Sequence, residues 1–185
     1  MKYPSAADIA EMKARGYDST TIAEEERRSL RWAAAQEVGR AIETAFAGVT
    51  LGNGVGLREA QGLDDYADAA TCAVYRANDE KDDWHRIPSE ALQHCHSSLH
   101  FFDAEGMRFH LPAYLLADLR DDSGIDLDFS LTQTINYDRF SLLSDIQRRA
   151  VRSFLLHLLD DPDYQFGRPQ IIRALDDYWT DPATN

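Results

Sequence analysis

The sequence is short of positive charge, cysteine and long apolar runs, and each shortage excludes a class of protein. Lys and Arg number 19 against 32 Asp and Glu, so the net charge of −13 repels nucleic acid and anionic membranes. The two cysteines, Cys72 and Cys95, form no CxxC motif, which predicts free thiols in a reducing cytoplasm. No apolar run approaches the roughly 18 residues that a membrane-spanning helix needs. We therefore expect a cytoplasmic protein with no nucleic-acid or membrane partner.

What the chain does contain is enough apolar material for a core. Apolar residues make up 44% and aromatic residues 10% of the 185 residues, which is typical of a globular protein and not of a disordered tail. This length predicts a single domain over 1–185. Segment 1–17 has few apolar positions, so we expect it to dock loosely.

Several helices are predicted from capping signals and apolar periodicity. Thr21 and Glu24 have the spacing of a capping box, and apolar residues then recur every three or four positions as far as Val49. Ser141 or Ser144 is expected to cap a second long helix that ends at Leu159. A last helix is predicted over about 169–179.

The stretch 96–111 gives the clearest β signal. Gly106 in a left-handed turn would close a hairpin in which Phe101 faces Phe109 and Leu99 faces Leu111 on one apolar side. Alternation of polar and apolar residues over 126–136 predicts a third strand. The sequence thus predicts an α+β fold: a helix-rich single domain with a small antiparallel sheet built on a β-hairpin.

Histidine clustering marks a candidate metal site. Four of the six histidines lie at positions 94, 96, 100 and 110, and the predicted hairpin would gather them on one sheet face. Three neutral imidazoles, those of His96, His100 and His110, suit zinc or another divalent metal. The alternative is a solvated polar face on which the histidines bind nothing, and no HExxH motif favours the metal.

Three further patterns each have more than one interpretation. The glycine-rich run 52–56 precedes a helix and could hold a phosphate, but it lacks the GxGxxG spacing, and a connection between helices is the simpler interpretation. Asp64, Asp65 and Asp68 include an i, i+4 carboxylate pair, which suits either a hard cation or a solvated acidic face. Arg148, Arg149 and Arg152 form a basic patch that would pair with acidic clusters or flank an interface.

The stretch 101–114 carries the motif Phe-x-Asp-x-x-Gly-x-Arg-Phe-x-Leu-Pro-Ala-Tyr. With the upstream segments 45–52, 59–65 and 83–88, it resembles an uncharacterised bacterial domain family over about residues 35–120. The resemblance implies a grouping and no activity, so no catalytic residue is carried over from it. The residue types of the motif predict a structural role. Its glycine suits a turn, its carboxylate can accept hydrogen bonds from the amides of that turn, and its aromatic residues can pack in the core.

Three functions remain open from the sequence. The leading hypothesis is a protein-binding module of antitoxin-like or immunity-like character, whose acidic surface meets a partner with a basic surface. The alternative is a metal-dependent hydrolase that uses His96, His100 and His110 with a divalent metal as cofactor. The third is a self-associating structural protein, which an exposed Trp32 or Trp179 would mark.

Overall fold

The chain is described here by a computed structural model that covers residues 4–120, 127–161 and 164–180, and every regular element in these ranges is helical. The α-helices are α1 Ala6–Ala14, α2 Ser19–Ala45, α3 Leu57–Asp64, α4 Ala69–Asn78, α5 Ser89–His94, α6 Ala104–Leu119, α7 Leu127–Thr132, α8 Asp145–Leu159 and α9 Arg168–Asp177. Short 3₁₀ helices occupy Trp84–Arg86, His96–His100 and Thr134–Phe140.

The predicted β-hairpin over 96–111 is wrong, and the α+β fold class is wrong with it. The first half of this stretch is a 3₁₀ helix, and the second half belongs to α6. Asp103 is the N-cap of α6, because its Oδ1 accepts a hydrogen bond from the Gly106 amide at 2.8 Å. Gly106 is therefore the third residue of a helix and not the apex of a turn. Pro112 lies inside α6 and does not end a strand.

The predicted third strand over 126–136 is also wrong, although residue 126 lies outside the described residues. Residues 127–132 form α7, and a 3₁₀ helix follows it. Leu127 and Leu131 are 2% and 0% exposed, whereas Phe129 between them is 53% exposed. Burial of positions four apart is the helical pattern, because alternate residues of a strand would share one face.

The long helices are confirmed, with one shifted start. Ser144 caps α8 in a reciprocal capping box with Gln147, and α8 ends at Leu159 as expected. The N-cap of helix α2 is Asp18, three residues before the predicted cap, because Asp18 Oδ1 accepts hydrogen bonds from the amides of Thr20 and Thr21, both at 3.0 Å. Although α2 has 27 residues, no helix in the described ranges is both long and apolar enough to cross a membrane.

Helix α6 lies at the centre of the core. It contacts α2, α5, α7 and two of the 3₁₀ helices, while α8 packs on α2 and α9 packs on α7 and α8. Eleven of its sixteen residues are buried: Gly106, Met107, Phe109, His110, Leu111, Pro112, Ala113, Tyr114, Leu115, Leu116 and Ala117. A helix buried on nearly all sides has no amphipathic period, which explains why its sequence was mistaken for a strand. Within segment 1–17, α1 contacts α2, and Lys13 Nζ lies 2.6 Å from Glu26 Oε1.

Candidate functional site

The motif of residues 101–114 and the glycine-rich run come together in one place. Asp103 Oδ1, besides capping α6, accepts a hydrogen bond from the Val55 amide at 3.0 Å. A Cβ atom on Gly54 would lie 2.4 Å from the Gly106 nitrogen, and one on Gly106 would lie 2.5 Å from the Val55 oxygen. Both distances are too short for any side chain, so the loop and the start of α6 meet backbone to backbone.

Side chains at the start of α3 and at the end of α4 bind this loop and the helix that follows it. Arg76 donates hydrogen bonds to the Gly54 oxygen and to Glu59 Oε2, the second at 3.0 Å. The Asp79 carboxylate accepts from the amides of Arg58 at 3.0 Å and Glu59 at 3.2 Å, at the start of α3. Burial raises the pKa of Asp79 above its usual range, against the effect of these two hydrogen bonds.

Three of the five backbone amides of the glycine-rich run 52–56 are bonded within the chain. The Gly54 amide donates to the Leu51 oxygen, that of Val55 to Asp103, and that of Gly56 to Glu59 Oε2. A phosphate would need several of these amides free and converging. The run therefore acts as a connection between α2 and α3 that locks α6 in place.

His110 is the one histidine of the sequence cluster that lies in the core. It is 0% exposed, its Nδ1 lies 2.7 Å from the Gly106 oxygen, and its ring stacks on Phe102 at 4.3 Å. The Nδ1 atom therefore carries the proton, and Nε2 is buried without a hydrogen-bond partner. Burial lowers the pKa of His110 to about 4, so the ring is neutral at pH 7.

The other two candidate ligands lie elsewhere. His96 and His100 are exposed on the 3₁₀ helix, and His96 Nδ1 is 2.9 Å from Ser97 Oγ. The sheet face that was expected to gather them with His110 does not exist. Within residues 4–120, 127–161 and 164–180, no group of three His, Cys, Asp or Glu side chains is placed to hold a metal ion.

Two of the three arginines of the basic patch on α8 bind backbone carbonyls at the end of α9. Arg152 Nη1 donates to the carbonyl oxygens of Leu175 at 3.1 Å and Trp179 at 2.6 Å, and Arg148 donates to that of Tyr178. The Arg148 guanidinium also lies over the Tyr178 ring at 4.3 Å. These contacts satisfy carbonyls at the end of α9 that the helix leaves free. Trp179, considered as a mark of self-association, is 0% exposed.

The turn between α3 and α4 has an unusual backbone. The Ala67 amide donates to the Gly62 oxygen at 2.9 Å and the Tyr66 amide to the Leu63 oxygen at 3.3 Å, the two bonds of a Schellman motif. Tyr66 occupies the left-handed position of this motif with φ of 56°, where glycine is usual. Its side chain is 95% exposed.

Carboxylates surround Tyr66 along the chain. Asp64, Asp65 and Asp68 lie within two residues of it, and no Lys or Arg occurs between Arg58 and Arg76. Hydrogen bonds from Thr71 lower the pKa of Asp68, whose carboxylate caps α4. We call residues 63–68 the acidic turn. The negative charge of the acidic turn was visible in the sequence. The positive φ of Tyr66 could not be predicted, because nothing in the local sequence requires it.

The described residues thus define a helical protein in which a glycine-rich loop is locked to the start of a buried central helix. The chain belongs to the family of unknown function DUF6714, whose model matches residues 34–183. The expected membership of an uncharacterised family is confirmed, and the match extends well beyond residue 120 into the C-terminal third. No curated protein and no solved structure is detectably similar to the chain.

Proposed function

We propose that this protein is a protein-binding module that docks a partner with a basic surface on the acidic turn. The observation that carries this proposal is Tyr66, a large side chain that is 95% exposed at a backbone position suited to glycine. Neighbouring Leu63 is 42% exposed and adds apolar area to the same turn.

The backbone conformation of Tyr66 is unfavourable within the isolated chain. A left-handed conformation costs a residue other than glycine about 1–2 kcal/mol. Because the ring is almost wholly exposed, packing does not offset this free energy. Strained residues that their own fold does not need are concentrated at functional sites, and tyrosine is among the residues that dominate binding energy in interfaces. Packing of the Tyr66 ring against a partner would supply the contacts that the fold of its own chain does not.

The negative charge of the acidic turn favours a partner with a basic surface. Three carboxylates lie within five residues, and the net charge of −13 extends the negative field over the molecule. Several arginines that would offset it, such as Arg148 and Arg152, are bound to backbone carbonyls. A basic protein surface would be steered toward such a field and would meet both carboxylates and an aromatic ring.

The test places a photo-crosslinking amino acid, benzoylphenylalanine, at position 66 in the source cells. The matched control carries it at Phe166, an aromatic residue that is 85% exposed on a different loop. The crosslinked protein is identified and purified, and its affinity is measured for the wild type, Tyr66→Gly and the double variant Asp64→Asn, Asp65→Asn. We expect an adduct at position 66 alone and a dissociation constant raised about tenfold or more by either variant.

Stability measurements separate lost binding from lost folding. Tyr66→Gly should raise the free energy of unfolding by about 0.5–1 kcal/mol, the relieved strain less the entropy that glycine adds to the unfolded chain. A variant that is more stable and yet binds more weakly would support the proposal. Equal crosslinking at positions 66 and 166, or an unchanged affinity of Tyr66→Gly for the purified partner, would contradict it.

A further inference from the structure

The imidazole of His85 is exposed to solvent and yet held in one orientation. Its Nδ1 lies 2.9 Å from Asp83 Oδ1, and its ring stacks on that of Trp84 with the two centroids 3.6 Å apart. Trp84 is 2% exposed and donates a hydrogen bond from Nε1 to the Phe46 oxygen at 3.0 Å. One face of the His85 ring is therefore anchored to the core, while 48% of the side chain is open to solvent.

The backbone around His85 fixes the position of the Asp83 carboxylate. Asp83 Oδ1 also accepts a hydrogen bond from the backbone amide of His85 at 3.1 Å, as the cap of the 3₁₀ helix Trp84–Arg86. The chain enters this helix through a turn in which Glu80 Oε1 accepts from the amides of Asp82 at 2.9 Å and Asp83 at 3.1 Å. The carboxylate is thus held beside the ring by its own local backbone.

The carboxylate decides which ring nitrogen of His85 carries the proton. The hydrogen bond from the His85 side chain lowers the pKa of Asp83, so this carboxylate is ionised at pH 7 and accepts the bond. Nδ1 therefore carries the proton and Nε2 keeps a lone pair, as in the pairs of carboxylate and histidine that orient reactive imidazoles. Within the part of the chain that the structure describes, Nε2 makes no hydrogen bond, so it is a nucleophile open to solvent.

Three kinds of chemistry use such a nitrogen, and the surroundings of His85 favour one of them. A metal ion needs further ligands, and no group of three His, Cys, Asp or Glu side chains among the described residues is placed to bind one. A general base needs a substrate cleft, and His85 lines neither the groove between α2 and α8 nor the one between α2 and α6. Covalent acceptance of a group needs only an exposed nucleophile and a donor that approaches from solution. Of the groups that imidazole accepts, phosphoryl gives an adduct that outlasts acyl adducts in water.

A cation for an incoming phosphoryl group lies next to the ring. Arg86 Nε is 3.6 Å from Asp83 Oδ2, the carboxylate oxygen that does not bind the His85 ring, and the Arg86 side chain is 67% exposed. Arginine binds phosphoryl oxygens through charged and often bidentate hydrogen bonds. Its charge also offsets that of Asp83, which by itself would repel a phosphoryl donor.

We propose that His85 is a phosphoryl-acceptor site, phosphorylated at Nε2 by a high-energy phosphoryl donor from solution. The Nε2 lone pair forms the bond to phosphorus while the bond between phosphorus and its leaving group breaks. The leaving group departs with that electron pair and takes a proton from water. The ring becomes a cation in the product, and Asp83 stabilises this charge through the proton on Nδ1.

Potassium phosphoramidate, which phosphorylates histidine without an enzyme, tests the proposal on the full chain. The rate at each histidine is measured by mass spectrometry under alkaline conditions, and phosphorus NMR distinguishes the Nε2 adduct from the Nδ1 adduct. The matched control lies in the same molecule, because His96 is also exposed on a 3₁₀ helix but has the neutral Ser97 Oγ 2.9 Å from its Nδ1. We expect His85 to react about tenfold or more faster than His96, and at Nε2.

Two variants test the roles of the neighbouring charges. Asp83→Asn keeps an oxygen beside the ring and removes its charge, so it should lower the rate at His85 to about that at His96. Arg86→Gln should also slow His85 while the rate at His96 stays the same. Because lost folding would change the rates at both histidines, their ratio within one sample separates the chemistry from the fold.

The outcome that would overturn the proposal is a His85 that reacts no faster than His96, or one that reacts at Nδ1. A ratio of the two rates that is unchanged in Asp83→Asn would also overturn it. Tyr66→Gly should leave this ratio unchanged, so the acceptor site and the function of the acidic turn fail separately.

Discussion

Acidification should destabilise this protein through His110, and replacing that residue by phenylalanine should remove much of the effect. The imidazole is fully buried, stacks on Phe102 and has a pKa of about 4 against a reference value of 6.5. The unfolded chain therefore binds a proton between these two pH values that the folded chain does not bind. A His pKa that falls on folding contributes stability that is complete above pH 6.5 and is lost as the pH falls toward 4.

The size of the loss follows from the shift. One pKa unit corresponds to about 1.4 kcal/mol, so the whole shift is worth about 3 kcal/mol, of which about 2 kcal/mol is lost by pH 5. Of the charged groups near the ring, Asp103 acts in the opposite direction, because its negative charge favours the imidazolium. Burial outweighs both that charge and the hydrogen bond to the Gly106 oxygen.

Urea unfolding from pH 7.5 to pH 4.5 measures the effect in the wild type and in His110→Phe. Phenylalanine keeps the stacked ring and removes the titrating group, and the Gly106 oxygen keeps its helical bond to the backbone amide of residue 110. Burial also lowers the pKa of His157 and raises that of Asp79, and these two groups change the stability with pH in opposite directions. Both are present in the wild type and in His110→Phe, so their effects cancel when the two stability curves are subtracted. Two curves of equal slope between pH 7 and 5 would refute the reasoning.

Two further predictions concern the contact between the loop and α6, and both are measured by urea unfolding at pH 7.5. Gly54→Ala should lower the free energy of unfolding by about 2–4 kcal/mol, because its Cβ would lie 2.4 Å from the Gly106 nitrogen. The control is Gly39→Ala within α2, where the new Cβ would lie at an ordinary contact distance of 3.5 Å from Leu116 Cδ2. This substitution should raise the free energy of unfolding by about 0.5–1 kcal/mol, because alanine favours the helix over glycine. Asp103→Ala should lower it by about 2 kcal/mol through the loss of two hydrogen bonds, to Gly106 and Val55, while Asp103→Asn keeps an oxygen for both and loses less. A tolerated Gly54→Ala, or equal losses in the two Asp103 variants, would contradict this account of the contact.

The sequence predicted the peripheral helices well and the central one badly. Helix α8 has an apolar face, a polar face and a capping serine at Ser144, and all three signals are local. Helix α6 has buried residues all round, so its pattern carries no helical period. Asp103 was a valid capping signal, but Gly106 three residues later suggested a turn. The true reason for that glycine is the Val55 oxygen, which a reader of the sequence alone cannot place beside it.

The candidate sites were predictable only where charge or composition marked them. The acidic run at Asp64, Asp65 and Asp68 was visible in the sequence, whereas the strain and exposure of Tyr66 depend on the end of α3. The 49% exposure of Ile146 was not predicted, because it follows from how α8 packs on α2. His110 was placed on a sheet face because its neighbours on the chain were mistaken for strand residues, whereas it lies in the helical core.

The burial of α6 has a consequence for how the protein can be divided. A helix with a solvent-facing side can be separated from its neighbours and remain soluble, but α6 has eleven buried residues and touches elements both before and after it in the chain. A cut on either side of it would expose a nearly continuous apolar cylinder. Limited proteolysis in the core should therefore be all-or-none, without a stable half. Because α6 packs against elements on both sides of it in the chain, the fold depends on contacts between residues distant in sequence. We therefore expect the protein to fold more slowly than a simple helical bundle.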